Sequence, residues 1–271
     1  MKSMEFEAYK ALHERIFWEN GLENYLLSVS RETERGGTWG ATACADGLVS
    51  RETDPMHSFW RLTEHMLAVN EQMNLTAVRD VESAVYLHYA DSLMIADAIP
   101  EGVTLCDVGC GAGFPSLPLA IARPDLSFFA VDSTEKKVRY VSETAELLGF
   151  SDRFNARAAR AEELGRGECR ESFSAVTARA VSNLRMLSEL CIPLVSVGGV
   201  FLSMKGANWE AEYRDAEHAI RLLGGELASA REFEIRNGDA SEKRCLLTIR
   251  KIKPTPEKYP RAWGKIKNKP L

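Results

Sequence analysis

Apolar positions recur every three or four residues over the first part of the chain. Residues 5–30 carry Leu12, Ile16 and Leu26 at near-helical spacing. Phe59, Leu62, Met66, Val69 and Met73 repeat in alternating steps of three and four, which makes one apolar helix face. A third helix is predicted over residues 81–98; it sets His88 and Asp91 three apart, on the same side. Between the first two helices, residues 31–55 lose the periodicity. They are rich in Gly, Thr and charge, and read as a long loop or insertion. From residue 103 the texture changes. Short apolar runs at 103–108, 127–132, 153–158, 174–179, 199–204 and 245–250 alternate with helical stretches at 116–122, 134–148, 183–196 and 207–223. Strands alternating with helices predict an α/β fold on a mostly parallel sheet. The expected organisation is a helical extension over 1–100, a sheet domain over 101–253 and a tail over 254–271. With four prolines and no period, the tail is expected to be extended or partly disordered.

Composition narrows the class. The chain has 271 residues, 45% hydrophobic and 27% charged, which is ordinary for a globular protein with a sizeable core. No apolar run approaches the roughly 18–20 residues of a membrane span. The N-terminus lacks a signal-peptide core and carries Glu5, Glu7 and Glu14, so a cytoplasmic protein is expected. Six scattered cysteines include Cys106 and Cys110, but no second pair or histidine accompanies them. That is a poor zinc site, so free thiols and no metal are expected. The net charge of −5 argues against non-specific nucleic-acid binding. Its distribution is uneven: residues 250–271 hold eight Lys/Arg against one Glu. Such a basic end can meet a polyanion or be a solvated terminus.

The chemistry concentrates in LCDVGCGAGFPSLPLAIARPD, residues 105–125, where Gly109, Gly111 and Gly113 fall at every second position between a strand and a helix. Dinucleotide folds want G-x-G-x-x-G with a pyrophosphate at the helix N-terminus. Here the spacing differs, and Asp107 precedes the first glycine. A carboxylate there repels phosphate and favours an ammonium or sulfonium group. No Gly-Lys-Ser/Thr follows, which excludes a P-loop. Asp132 ends the next strand, 23 residues after Gly109, the distance at which a carboxylate accepts ribose hydroxyls. Adenosine with a cationic amino-acid tail describes S-adenosylmethionine. Asp132 also suits a helix cap, beside Ser133. After the third strand, the backbone of Ala161 and the Glu162 side chain sit where adenine would be bracketed, or simply begin a helix.

These residues carry a resemblance. NLTAV (74–78), HYADSL (88–93), DVGCGAGFPSLPLAIARP (107–124), VDSTEKKVRYV (131–141), RAEEL (160–164), VTARAVSNL (176–184), SMKG (203–206) and YPRAWGKIKNKPL (259–271) occur in one order. Over about residues 56–271 the chain resembles the small-subunit ribosomal RNA methyltransferase G family, also called glucose-inhibited division protein B. The resemblance implies a Rossmann-like, class I S-adenosylmethionine-dependent fold with a seven-stranded sheet. It implies methylation of guanine N7 in a 16S rRNA loop of the decoding region. Family cofactor positions fall on Gly109, Phe114, Ala161, Glu162 and Arg179. Two features depart from the family pattern: the stretch 31–55, and Ser116 where a glycine is common.

The reaction class can be read against the residues. Exocyclic amines are commonly methylated with a Pro-Pro-aromatic loop after strand 4, and this chain has no Pro-Pro pair. Pyrimidine C5 needs a cysteine nucleophile, and no Pro-Cys pair exists. Guanine N7 is already nucleophilic and loses no proton, so alignment and water exclusion suffice and no general base is assigned. Arg179, after strand 4, can hold the cofactor carboxylate or hydrogen-bond guanine. Lys205, His88 and Arg261 are the other candidate substrate contacts, each with a plain structural alternative. Tyr259 and Trp263 in the basic tail suit stacking on RNA. A monomer acting on the assembled 30S subunit, rather than on naked RNA, is expected. A small-molecule methyltransferase on the same fold remains the rival, with a basic, aromatic C-terminus against it.

Overall fold

A computed structural model describes residues 5–26, 54–179 and 182–271. The expected insertion therefore lies outside the described residues, apart from Asp54 and Pro55 at its end. These two start a helix instead. The Asp54 side chain accepts a hydrogen bond from the Met56 amide at 3.0 Å, and Pro55 takes the first helical position.

The N-terminal layer is helical. Helix α1 is Phe6–Glu19 and α2 is Pro55–Met73. Helix α3, Val81–Ala84, runs on into a π-helical segment, Val85–Ala90, and then α4, Asp91–Leu93. The first helix is shorter than its periodicity suggests. It stops at Asn20, before Gly21 at φ 67°, a left-handed conformation that ends helices.

Seven strands form one sheet: β1 Thr104–Val108, β2 Ser127–Asp132, β3 Phe154–Ala158, β4 Phe173–Arg179, β5 Val195–Gly206, β6 Gly225–Asn237 and β7 Ala240–Lys251. Their order is β3-β2-β1-β4-β5-β7-β6. The first five are parallel, and β7 lies antiparallel between β5 and β6. This is the α/β, Rossmann-like, seven-stranded sheet that the resemblance implies. Strand β6 has no counterpart among the apolar runs. It is an edge strand, exposed along most of its length and carrying Arg231, Glu232, Glu234 and Arg236, so it lacks a two-residue apolar signal.

Helices cover both faces. Helix α5 (Ser116–Ala122) and α6 (Glu135–Leu147) share one core with the N-terminal helices and the sheet residues Leu105, Phe128, Ala175 and Leu202. Helices α7 (Ala161–Arg166), α8 (Leu184–Cys191) and α9 (Trp209–Leu222) pack with Cys106, Val176, Phe201 and Leu247 on the other. The order changes direction between β1 and β4, which opens a crevice at their carboxyl ends. Among the described residues, no helix is long and apolar enough to cross a membrane.

The C-terminal segment corrects the expectation of an extended tail. It ends in a helix, α10 (Trp263–Asn268), with Ile266 and Tyr259 buried in the second core. Arg261 makes a two-pronged pair with the fully buried carboxylate of Glu189, at 2.8 and 2.6 Å. Arg185 holds the last turn through the carbonyls of Pro270 and Leu271. Proline and polar content hid this, because the anchoring partners lie on α8, some seventy residues earlier.

Candidate active site

The crevice holds two adjoining hollows that share Gly109, Asp132 and Ser133. The first is lined by Val108, Ala159, Arg160, Ala161, Glu162, Leu190 and Trp263. The second is lined by Thr76, His88, Gly111, Phe114, Lys137 and Arg179, among others. The sheet explains the convergence. Gly109 follows β1, Asp132 closes β2, Ala161 begins the helix after β3 and Arg179 closes β4.

The glycine turn fits its bare sequence. Gly109, Gly111 and Gly113 all have positive φ, at 74°, 56° and 86°. A Cβ on Gly113 would lie 2.3 Å from Leu117 Cδ1, so this glycine lets α5 close onto the turn. The turn is tied to the neighbouring strand. Asp132 accepts from the Gly111 amide at 3.1 Å through one oxygen and from the Thr134 amide at 2.8 Å through the other. Each oxygen keeps a further lone pair on the rim that both hollows share.

Asp107 sits beneath this turn and is 1% exposed. One oxygen accepts from the Ser116 hydroxyl, so the serine at the family's glycine position engages the site's most buried carboxylate. The other, Oδ1, is buried with no partner among the described residues. Burial lifts the carboxyl pKa to about 6, against the lowering effects of Ser116 and Arg179. An orphaned acceptor of this kind calls for a cationic or N–H-bearing ligand, and S-adenosylmethionine has an ammonium and a sulfonium. The remaining residues also fit that cofactor. Asp132 suits ribose hydroxyls, and the hollow of Ala161, Glu162, Leu190 and Trp263 suits a flat base. Glu162 is 3% exposed there, 3.9 Å from Arg160. The Arg160 guanidinium lies over the Trp263 ring at 5.7 Å, so the tail residue expected to stack on RNA instead walls the first hollow.

Around the second hollow, Arg179, Asp91, His88, Phe114 and Thr76 form one network. Arg179 donates to Asp91 Oδ2 at 3.0 Å and to the Leu87 carbonyl at 3.2 Å, both through Nη1. Its Nη2 reaches His88 Nδ1 at 3.2 Å, and its guanidinium lies 5.4 Å from the Phe114 ring centre. His88 stacks on Phe114 at 4.2 Å, and its Nε2 meets Thr76 Oγ1 at 2.8 Å. Arginine has no acceptor, so Nδ1 must be the acceptor and the proton must sit on Nε2. Burial and then the Arg179 charge lower the His88 pKa to about 3. The imidazole is neutral and its one lone pair is spent. The π-helical segment carries His88 and leads directly into Asp91; a π-turn inside a helix often marks such a place.

A third hollow adjoins across Arg179, lined by Ser182, Met204, Lys205, Gly206, Glu212 and Arg244. Lys205, expected to reach RNA phosphate, is 6% exposed and pairs with Glu212 Oε2 at 2.8 Å. Arg244 approaches Asp91 Oδ1 at 3.3 Å, so one carboxylate sits between two arginines. The structure thus brings together Gly109, Gly111, Phe114, Asp132, Ser133, Ala161, Glu162, Arg179 and His88, with Lys205 next door. Gly113 supports the turn from behind. Arg261 stands apart on Glu189. Thr76, Glu212 and Arg244 carry no sequence signal of their role. Thr76 lies unmarked within the NLTAV stretch, Glu212 resembles an ordinary acid in a first helical turn, and Arg244 falls one residue before an apolar run.

Comparison with known proteins agrees. The family model of rRNA small subunit methyltransferase G matches residues 56–239. A Ribosomal RNA small subunit methyltransferase G of Lactobacillus delbrueckii subsp. bulgaricus is 42% identical over 213 residues, covering 77% of this chain and 88% of that protein. The protein of the same name from a Geobacillus species is 40% identical over 226 residues, covering 82% and 94%. A site built for a cationic adenosine ligand, on this sheet and with these relatives, places the chain in the rRNA small subunit methyltransferase G family.

Proposed function

We propose that the protein transfers a methyl group from S-adenosylmethionine to N7 of a guanine in a 16S rRNA loop, within the 30S subunit and in the cytoplasm. The observation that carries this reading is the spent lone pair of His88. A site for an exocyclic amine or a ribose hydroxyl needs a group that takes a proton. Here the imidazole, the one histidine ring lining the first two hollows among the described residues, is committed to Arg179 and Thr76. Burial raises the Cys110 thiol well above its ordinary pKa, so it is no thiolate nucleophile. Guanine N7 asks for none of these groups.

The residues of the first two hollows would hold the cofactor, which would supply an electrophilic methyl on sulfur for the N7 lone pair, with the thioether as leaving group. The chain's work is placement. Asp107 and the glycine turn receive the cationic end, Asp132 the ribose, and Ala161, Glu162 and Trp263 the adenine. His88 and Phe114 form a stacked wall that keeps water from the reacting line. Arg179 retains Nε–H and one Nη2–H for ligand oxygens such as guanine O6 or the cofactor carboxylate. Methylated guanine is cationic, and Asp91 balances Arg179 so that the site does not oppose that charge.

RNA contact is supported by the exposed lysines of the folded tail, Lys258, Lys265, Lys267 and Lys269. On a chain of net charge −5, that patch suits a preformed ribosomal surface more than free RNA. The test is incubation with labelled S-adenosylmethionine and either 30S subunits or deproteinised 16S rRNA. Label entering the 30S subunit at least about 10-fold faster is the expected result. Equal labelling of both would overturn the assembled-subunit reading.

A further inference from the structure

The third hollow has a use that methyl transfer alone does not require. Lys205 Nζ has three N–H donors and spends two, on the Ser182 carbonyl at 3.1 Å and on Glu212 Oε2 at 2.8 Å. Glu212 Oε2 is also held by the Leu184 amide at 3.1 Å. That fixes the carboxylate between β5, α8 and α9. Its other oxygen, Oε1, accepts no hydrogen bond among the described residues, and the side chain is 34% exposed in a hollow it helps to line. The hollow therefore offers a spare donor beside a spare acceptor, both on a rigid frame. Arg179 forms the wall between this hollow and the one facing the glycine turn.

We propose that this hollow reads the Watson–Crick edge of the target guanine, with Glu212 as the specificity residue and Lys205 as the group that positions it. The proposal rests on the guanine N7 reading above and deepens it. Guanine carries N7 on one edge, O6 next to it, and then N1–H and the N2 amine. With N7 turned to the methyl donor, O6 passes Arg179 and the third N–H of Lys205. N1–H and N2–H then reach Glu212 Oε1. Adenine reverses both contacts, because its amino group meets Lys205 and its N1 lone pair faces a carboxylate. Buried polar groups left unpaired or opposed in this way reject the wrong ligand strongly. The carboxylate has a second effect: methylation at N7 leaves positive charge spread over the ring, and Glu212 lies at the far edge to meet it.

The test uses 30S subunits carrying guanosine or inosine at the target position, since inosine keeps N7, O6 and N1–H and lacks only the N2 amine. The protein is compared with Glu212→Gln, whose amide oxygen can still cap α8 but whose NH2 group replaces an acceptor. The wild-type protein should methylate the guanosine subunit about 10-fold faster in kcat/KM than the inosine subunit. Glu212→Gln should lose about 10- to 100-fold on guanosine and bring the guanosine/inosine ratio close to one, with S-adenosylhomocysteine affinity by calorimetry within about 2-fold of wild type. A guanosine/inosine ratio that is the same in both proteins overturns the proposal, whatever the variant's overall rate, because a merely structural defect lowers both rates together. A wild-type protein that leaves guanine N7 unmodified overturns the underlying reading, and this one with it.

Discussion

His88 and Arg179 show how one contact settles a chemical role. At i,i+3 from Asp91 the histidine reads either as a substrate contact or as a structural residue, and only its partners decide. Those partners come from β4 and from the segment after α2, so no local pattern reveals them. The glycines, Asp107 and Asp132 were legible because their spacing is local; Glu212 and Arg244 were not, since their meaning depends on strand ends assembled by the sheet. Removing Asp91 tests the network. Asp91→Ala leaves two largely buried arginines without their shared carboxylate, which should cost about 3 kcal/mol and lower Tm by roughly 6–12 °C in calorimetry. Three buried groups contribute strongly to acid stability. His13 and His88 both have pKa values of about 3, so below pH 6.5 the unfolded chain takes up protons that the native fold refuses. Each then removes stability at about 1.4 kcal/mol per pH unit as pH falls from about 6 to 4. Asp107, at about 6, binds its proton in the fold before the unfolded carboxyl does and offsets one of these slopes over the same range. The three together contribute a net loss of about 1.4 kcal/mol per pH unit, to which the lowered His65, Asp97, Asp125 and Glu171 add in the same direction, and in denaturation free energies at pH values of about 6, 5 and 4 His88→Gln should remove that residue's share.

The C-terminal helix and the edge strand mark where pattern reading stops. Strands β1, β2 and β4 were visible because parallel strands inside the sheet leave short apolar runs, whereas β3, at the edge, buries only Phe154. Strand β6 was invisible because most of its side chains face solvent and its partners are long-range: β7, and Asn20 and Tyr86 of the N-terminal layer, which bond its backbone at Arg236 and Ile235. The tail looked like a free arm because its anchors, Arg261 on Glu189 and Ile266 in the second core, are long-range. Its placement changes what truncation should do. Removing 254–271 uncovers the buried carboxylate of Glu189 and one wall of the first hollow, proposed for adenine, so cofactor affinity and stability should both fall. A milder probe is Trp263→Ala, which should weaken S-adenosylhomocysteine binding about 3- to 10-fold by calorimetry while leaving the fold intact. Unchanged affinity would remove Trp263 from the cofactor site.

At the scale of the molecule, an acidic body with a small lysine patch must find a polyanion. Electrostatic attraction from a net charge of −5 is unfavourable at long range, and the exposed tail lysines act only within about 10 Å at ordinary salt. Replacing Lys265, Lys267 and Lys269 with Gln should weaken 30S binding and make it less salt-dependent, by about 0.7–0.9 in log–log slope for each phosphate that is no longer neutralised. Cofactor affinity should stay as it is. On the proposed reading, the helical N-terminal layer, the crevice and the tail hold one base edge toward a methyl group, and no proton leaves the base. The most direct measurement is the chemical identity of the product: 30S subunits methylated by the purified protein are digested to nucleosides and separated by mass spectrometry. The account predicts 7-methylguanosine, arising from a single 16S rRNA loop. Methyl on guanine N2, on a ribose oxygen or on a pyrimidine would contradict it.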